Sequence, residues 1–302
     1  MAKSNNGIKA RSKWTLGDIV VHIILVILSV IWVLPIAWII MISFRGEKGQ
    51  YVSTLLPKSL TLANYTKLFT DTGILNFMQM FKNTLIIAIF SCIISTAFVL
   101  AVSYCMSRMR FRLRKPFMNV ALILGMFPGF MAMIAVYYIL KVLGLSEGSL
   151  IRVALVLVYS GGSGLGFYIA KGFFDTIPKS LEEAAYLDGA TRWQSFTRII
   201  IPLSRPIIVY TVLNSFLAPW IDFVFAKVIC RANKDYYTVS IGLWNMLEKE
   251  YVYNWFNSFA AGAVLISVPI IILFMVMQKL SLIHISETTR QEAISYAVFC
   301  LK

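Results

Sequence analysis

The sequence predicts an all-α integral membrane protein with six spanning helices and one polar helical insert. Of 302 residues, 59% are hydrophobic and only 14% are charged, against roughly 25% charged in ordinary soluble domains. Such a chain lacks the polar residues to cover a globule in water. The net charge of +14 is concentrated between apolar runs, where it sets orientation in a bilayer and does not point to nucleic acid. The runs recur six times at about 20 residues, the length a helix needs to cross the hydrocarbon core. Backbone groups in lipid must pair within their own segment, so the runs read as helices and not as open strands.

Residues 1–18 form a basic N-terminal segment with Lys3, Lys9, Arg11 and Lys13. The apolar run behind it, 19–43, exceeds the core of about 7–15 residues found in signal peptides, so it reads as an uncleaved first span. Span two covers 84–106. The link after it, SRMRFRLRK, holds Arg108, Arg110, Arg112, Arg114 and Lys115. Spans three and four follow at 117–140 and 149–172. The fourth contains GGSGLG, Gly161 to Gly166, with no strand–turn–helix unit around it. These glycines signal close packing or a bend, not a dinucleotide site. Span five covers 206–230 and span six 257–279. With six spans, the N-terminal segment, the basic link and the segment after span four share one side. The positive-inside rule makes that side the cytoplasm, with the protein in the cell membrane. Loops 45–83 and 231–256 then face outward.

The segment after span four, about 177–205, is the least lipid-like part of 19–279. Ser180 with Glu183 has the spacing of a capping box, and Thr191 with Gln194 repeats it. Gly189 suits the left-handed position that ends a helix, and Pro202 is expected to stop the second helix. A helix–glycine–helix unit on the cytoplasmic face results. Leu181, Ala184, Ala185 and Asp188 fall on one side of the first helix; Trp193, Phe196, Ile199 and Ile200 make the second apolar. Two readings fit: a segment resting on the bilayer surface, or a docking element for a cytoplasmic partner. The caps, the hinge and the small residues favour docking.

Glu183-Ala184-Ala185, three residues, Gly189, nine residues, then Ile199 and Pro202 resemble the EAA loop of ABC-importer permeases, with Ile201 where leucine is usual. LTLANYTKLF, SRMRFR and WFNSFAAGAVL extend the resemblance over 15–280, towards sugar-importer permeases and most closely the smaller maltose/maltodextrin-type permease. The resemblance implies a type I ABC-importer fold. It makes the insert a pair of coupling helices seated in a cleft of the ATP-binding subunit, with Glu183, Ala184, Ala185, Asp188, Gly189, Ala190, Phe196 and Pro202 as the coupling residues. It also implies a second homologous permease, two ATP-binding subunits that use ATP and Mg, an extracellular solute-binding protein and a sugar substrate. No cofactor is expected on this chain. Maltodextrin is the first expectation; other oligosaccharides and glycerol phosphate are alternatives.

Asn214, Trp220 and Asp222 stand in span five beside Pro219. Polar groups inside a span face a pathway or a partner. Rings and carboxylates suit a sugar, and helix–helix hydrogen bonding explains the same residues equally well. Loop 231–256 carries Tyr236, Tyr237, Trp244, Tyr251, Tyr253 and Trp255. It reads as an interfacial aromatic belt or, by the resemblance, as a loop reaching into the binding protein. The tail, 280–302, leaves the family pattern; SLIHISE and ISYAVFCLK look like translated adapter sequence, so the tail is expected to be an artefact without a functional part.

Catalytic machinery is not expected. There is no G-x-x-x-x-G-K-[ST], hence no phosphate-binding loop for ATP. His22 and His284 are the only histidines. Cys92, Cys105, Cys230 and Cys300 form no C-x-x-C pair, so neither a metal site nor a disulfide framework follows. A secondary transporter or channel remains the rival class, but the inverted repeats and multiple intramembrane charges such proteins often show are not evident.

Overall fold

The computed structural model describes residues 15–50, 54, 56–126, 129–162 and 166–299, with side chains as far as Gln278. Lys3, Lys9, Arg11, Lys13 and Cys300 lie outside these residues, as do the side chains of the 280–302 tail. The first span is α1 (Leu16–Ser43). It opens with a reciprocal cap: Thr15 N–H donates to Asp18 Oδ2 at 2.9 Å, and Asp18 N–H to Thr15 Oγ1 at 3.3 Å. Only its last residues, Ile42 and Ser43, are buried. A short helix, α2 (Ala63–Thr70), precedes α3 (Phe77–Arg108). At 1.5 Å per residue α3 is about 48 Å long, so it projects beyond a hydrocarbon core of about 30 Å.

Span three departs from the single helix expected over 117–140. It is α4 (Arg114–Gly125) and α5 (Gly129–Val142), set at 104°. The sequence between them carries Pro128 before Gly129, and proline removes a backbone donor and disfavours helix at the preceding residue. Span four is α6 (Leu150–Gly162) and α7 (Gly166–Thr176), bent by 43°. A β-carbon at Gly161 or Gly162 would meet nothing within 4 Å. Of the two uses foreseen for GGSGLG, the bend is therefore the one the backbone shows.

The insert holds α8 (Ser180–Leu187), α9 (Arg192–Ser195), a π turn (Phe196–Ile200) and α10 (Ile201–Leu203). α11 (Arg205–Ile221) follows at 81° to the Arg192–Leu203 stretch. Span five also breaks: α11 ends at Ile221, Asp222 is extended, and α12 (Val224–Cys230) resumes. Pro219 has no N–H to give the Ser215 carbonyl, which weakens the last turn of α11. After a 3₁₀ turn (Lys234–Tyr236) come α13 (Val239–Met246) and α14 (Val252–Phe299). By length and apolarity α1, α3 and Val252–Gln278 can each cross a bilayer; counting each bent pair as one span, the third being the end of the insert with α11, brings the described crossings up to six. The only β pairing among the described residues is the isolated Arg45–Leu60 bridge.

α3 is the central member. Its first half packs with α6, α11 and α13 in a core that includes Ile87, Ala88, Leu155, Phe216 and Ile241. Its second half packs with α7 and the end of the insert around Val99, Phe167, Phe174 and Ile200. The two loops expected on one side do meet: Lys67 Nζ donates to the Asn254 carbonyl at 2.8 Å and lies 4.0 Å from the Trp255 ring centre. α13 is seated closely. A β-carbon at Gly242 would lie 2.5 Å from Met80 Sδ, so only glycine permits this approach. Val239, Ile241 and Met246 of α13 are all buried.

Candidate functional site

The insert is built around one buried acid that the sequence reading passed over. Glu182, not Glu183, faces inward. Its Oε2 lies 2.9 Å from Arg108 Nε, and both side chains are 6% exposed. Tyr104 Oη donates to Glu182 Oε1 at 3.1 Å, and Ser195 Oγ lies 3.4 Å from the same atom. Arg108 Nη2 also donates to the Phe174 and Ile177 carbonyls at 2.8 and 2.7 Å. The Ile177 carbonyl lies just beyond the end of α7, where no helical donor follows, and that of Phe174 accepts from Ile177 N–H as well, at 3.2 Å. Burying Glu182 turns the opposite side of α8 outward. Glu183, Ala184 and Asp188 are exposed, and Leu187 is 90% exposed. The expected face therefore rotates: Ala185 is half-buried, and Leu187 replaces Leu181 as its most prominent apolar residue.

The two caps resolve differently. Thr191 and Gln194 form the expected box, with Thr191 N–H donating to Gln194 Oε1 at 2.8 Å and Gln194 N–H to Thr191 Oγ1 at 3.3 Å. The Ser180–Glu183 box is absent. Lys179 is already helical and its carbonyl accepts from Glu182 and Glu183 at 3.0 Å, so the N-cap is Lys179 and Ser180 lies inside the helix. Gly189 takes the foreseen left-handed conformation, φ +81°. Ala190 N–H donates to the Ala185 carbonyl at 2.9 Å and Gly189 N–H to that of Tyr186 at 3.1 Å, a Schellman closure.

Pro202 does not stop the second helix. A π turn stands just before it, and the wider ring gives the proline room. The helix ends at Ser204, whose N–H donates to the Ile200 and Ile201 carbonyls. Phe196 is half-buried with its ring 4.6 Å from that of Tyr104, so it supports the insert from within, while Trp193 is 71% exposed. Ala190 is half-buried. Asp188, Gly189, Ala190, Gln194, Arg198 and Ile199 line a hollow of about 270 Å³ at the turn.

A larger cavity, about 750 Å³, lies among the bent spans. Tyr159, Tyr210, Thr211, Asn214 and Ser215 supply its polar atoms, the rest of the lining is apolar, and no charged side chain is among the described lining residues. Of the three residues singled out in span five, Asn214 alone lines it. Trp220 is 3% exposed, its ring 5.4 Å from Phe81 and 5.9 Å from Phe216. Asp222 restarts the broken helix: its carboxylate accepts from Phe225 and Ala226 N–H at 3.3 Å and from Tyr159 Oη at 2.7 Å. The aromatic loop also divides. Tyr237 and Trp255 are buried, while Trp244 and Tyr253 are exposed.

Three long apolar helices and three bent pairs, up to six crossings, with a cavity among them and a capped polar turn leading into the last pair, make an integral membrane protein. Residues 93–282 match the family described as binding-protein-dependent transport system inner membrane component, and the chain belongs to that family. Its role is transport, in a multi-pass membrane protein. It is 34% identical to the galactooligosaccharides transport system permease protein GanQ of Bacillus subtilis over 85% of this chain and 90% of that protein. It is 32% identical to the maltodextrin transport system permease protein MalD of Streptococcus pneumoniae, over 91% and 95%. A chain in the crystal structure of a bacterial ABC transporter importing the acidic polysaccharide alginate superposes with a TM-score of 0.72 at 23% identity, covering 88% of this chain and 98% of that one.

Proposed function

We propose that the chain is one of two permeases in an ATP-driven importer of a sugar, maltodextrin first and other oligosaccharides second, with glycerol phosphate the third-ranked solute. The observation that carries this reading is the outward face of Glu183, Ala184, Leu187 and Asp188, held in place by a buried ion pair and ended by a left-handed glycine. A helix resting on lipid separates an apolar face from a charged one, whereas here Leu187 and Ala184 share one exposed face with Glu183 and Asp188. Paired in space with Glu182 of the insert is Arg108, the first residue of the densest basic cluster, Arg108 to Lys115, which supports a cytoplasmic position for the insert and for the N-terminus. Two ATP-binding subunits bind ATP and Mg and dock on the inserts of this chain and of a second, homologous permease. Their closure turns the spans from inward-open to outward-open, and a solute-binding protein delivers the sugar from outside. Asn214, Tyr210 and Tyr159 on the cavity wall are the proposed sugar contacts. A lining without cations, set beside relatives named for neutral oligosaccharides, supports ranking glycerol phosphate last.

The test is a cross-link from Ala184→Cys to cysteines in the cleft of a co-expressed ATP-binding subunit. A bond that changes with ATP is the expected result. No bond to any such subunit, with the chain correctly inserted, would return the insert to the bilayer surface and reopen the secondary-transporter reading.

A further inference from the structure

The insert has two covalent routes into the membrane, and both pass through a bend. Forward, α10 meets α11 through the 81° turn at Ser204. Backward, α8 reaches α7 through Ile177–Pro178, and α7 meets α6 at 43°. A displacement sent along either route is absorbed partly as a change of angle. The third route is not covalent. It enters α3, which has no break over its 32 residues.

We propose that the Arg108–Glu182 pair is the joint through which the insert moves α3, and that α3 carries the movement as one stiff body to α13 at its far end. This rests on the docking reading given above. Glu182 holds α3 at two places, Arg108 and Tyr104, and α9 at Ser195. Arg108, the last residue of α3, also holds the carbonyls closing α7. A movement of α8 therefore cannot leave the end of α3 behind without separating a buried acid from a buried cation, which is strongly unfavourable. The pair is not saturated in this state: the Arg108 Nε–H is poorly aligned with Glu182 and Nη1 has no described hydrogen-bond partner. A partly satisfied buried network has better geometry to gain when its members shift.

The far end is tied as firmly. Asn83 Nδ2 donates to the Asp235 and Tyr237 carbonyls at 2.7 and 3.2 Å, and Val239 N–H donates to Thr84 Oγ1 at 2.9 Å. These bonds fix the start of α13 to the first turns of α3. Between the ends, Cys92 Sγ donates to the Val212 carbonyl at 3.4 Å, and Ser95 and Ser215 hydroxyls meet at 2.9 Å, so α11 and the cavity wall travel with α3.

The test uses the whole transporter in vesicles, with a fluorophore on Glu248→Cys, an exposed position just past α13. Glu182→Gln keeps the shape of the acid and removes its charge. The expected result is a wild-type cross-link from Ala184→Cys, uptake of radiolabelled maltodextrin per ATP hydrolysed reduced about tenfold, within the range typical of coupling between sites, and loss of the ATP-induced fluorescence change. Glu182→Asp, which keeps the charge, should retain more of both signals and carries the same readouts where Glu182→Gln does not reach the membrane. A variant that cross-links normally, imports at the wild-type ratio and keeps the fluorescence change overturns the joint and leaves docking intact. Loss of the cross-link in the unsubstituted chain defeats docking, and the joint with it.

Discussion

Replacing Gly189 separates two explanations for a glycine at the tip of the insert. Its φ of +81° is one that residues with a β-carbon adopt at a cost of about 1–2 kcal/mol. A β-carbon there would meet nothing within 4 Å in this chain, so Gly189→Ala adds conformational strain and no clash. That strain corresponds to a factor of about 5–30 in the population of the closed turn. Asparagine tolerates the left-handed region better than alanine although it is larger. The expected order of uptake per ATP hydrolysed is therefore glycine, then asparagine, then alanine, at matched amounts in the membrane. The assay is radiolabelled maltodextrin uptake against phosphate release in reconstituted vesicles. Asparagine scoring below alanine would refute the conformational argument and show that crowding against a docked partner sets the requirement.

Gly189→Asp adds charge as well as bulk beside Asp188, and should uncouple hydrolysis from uptake without preventing insertion, checked by membrane fractionation alongside both activities. Asp222→Ala removes the cap of α12 and leaves the Tyr159 hydroxyl without its acceptor. The expected loss is about 2–4 kcal/mol of stability, read by thermal unfolding in detergent, and Tyr159→Phe should relieve part of it. Gly242→Ala forces a methyl against Met80, an overpacking cost of about 1–3 kcal/mol; combined with Met80→Ala the two changes should cost less than their sum, and strict additivity would contradict the close seating of α13.

The spans were legible because lipid imposes one rule, an apolar helix of a certain length, and hydropathy reads that rule directly. Where helices break was less so. Pro128 and the glycines of GGSGLG stand at two of the breaks, and Pro219 lies just before the break at Asp222, yet the hydropathy of 117–140 and 206–230 runs straight through them. In the insert, Thr191, Gln194 and Gly189 act through neighbours a few residues away, and local spacing found them. Glu182 acts through Tyr104 and Arg108, more than seventy positions earlier, and no local pattern separates it from Glu183. The one available signal was rotational. Two adjacent acids on a helix stand about 100° apart, so they cannot share one outward direction. Trp220 and Asp222 were marked by residue type alone, and residue type does not say which side of a helix meets the cavity.

α1 bears on which substitutions this chain can tolerate. It is about 42 Å long; only Ile42 and Ser43 are buried, and α14 is the one long helix it lies against among the described residues. Away from the side that meets α14, exchanges among Leu, Ile and Val along it change little internal packing. On those exposed sides the surroundings, more than the folding of the other spans, decide which substitutions are tolerated. Sites turned to lipid should drift freely among apolar types, whereas any stripe held constant would trace the outline of a neighbouring protein.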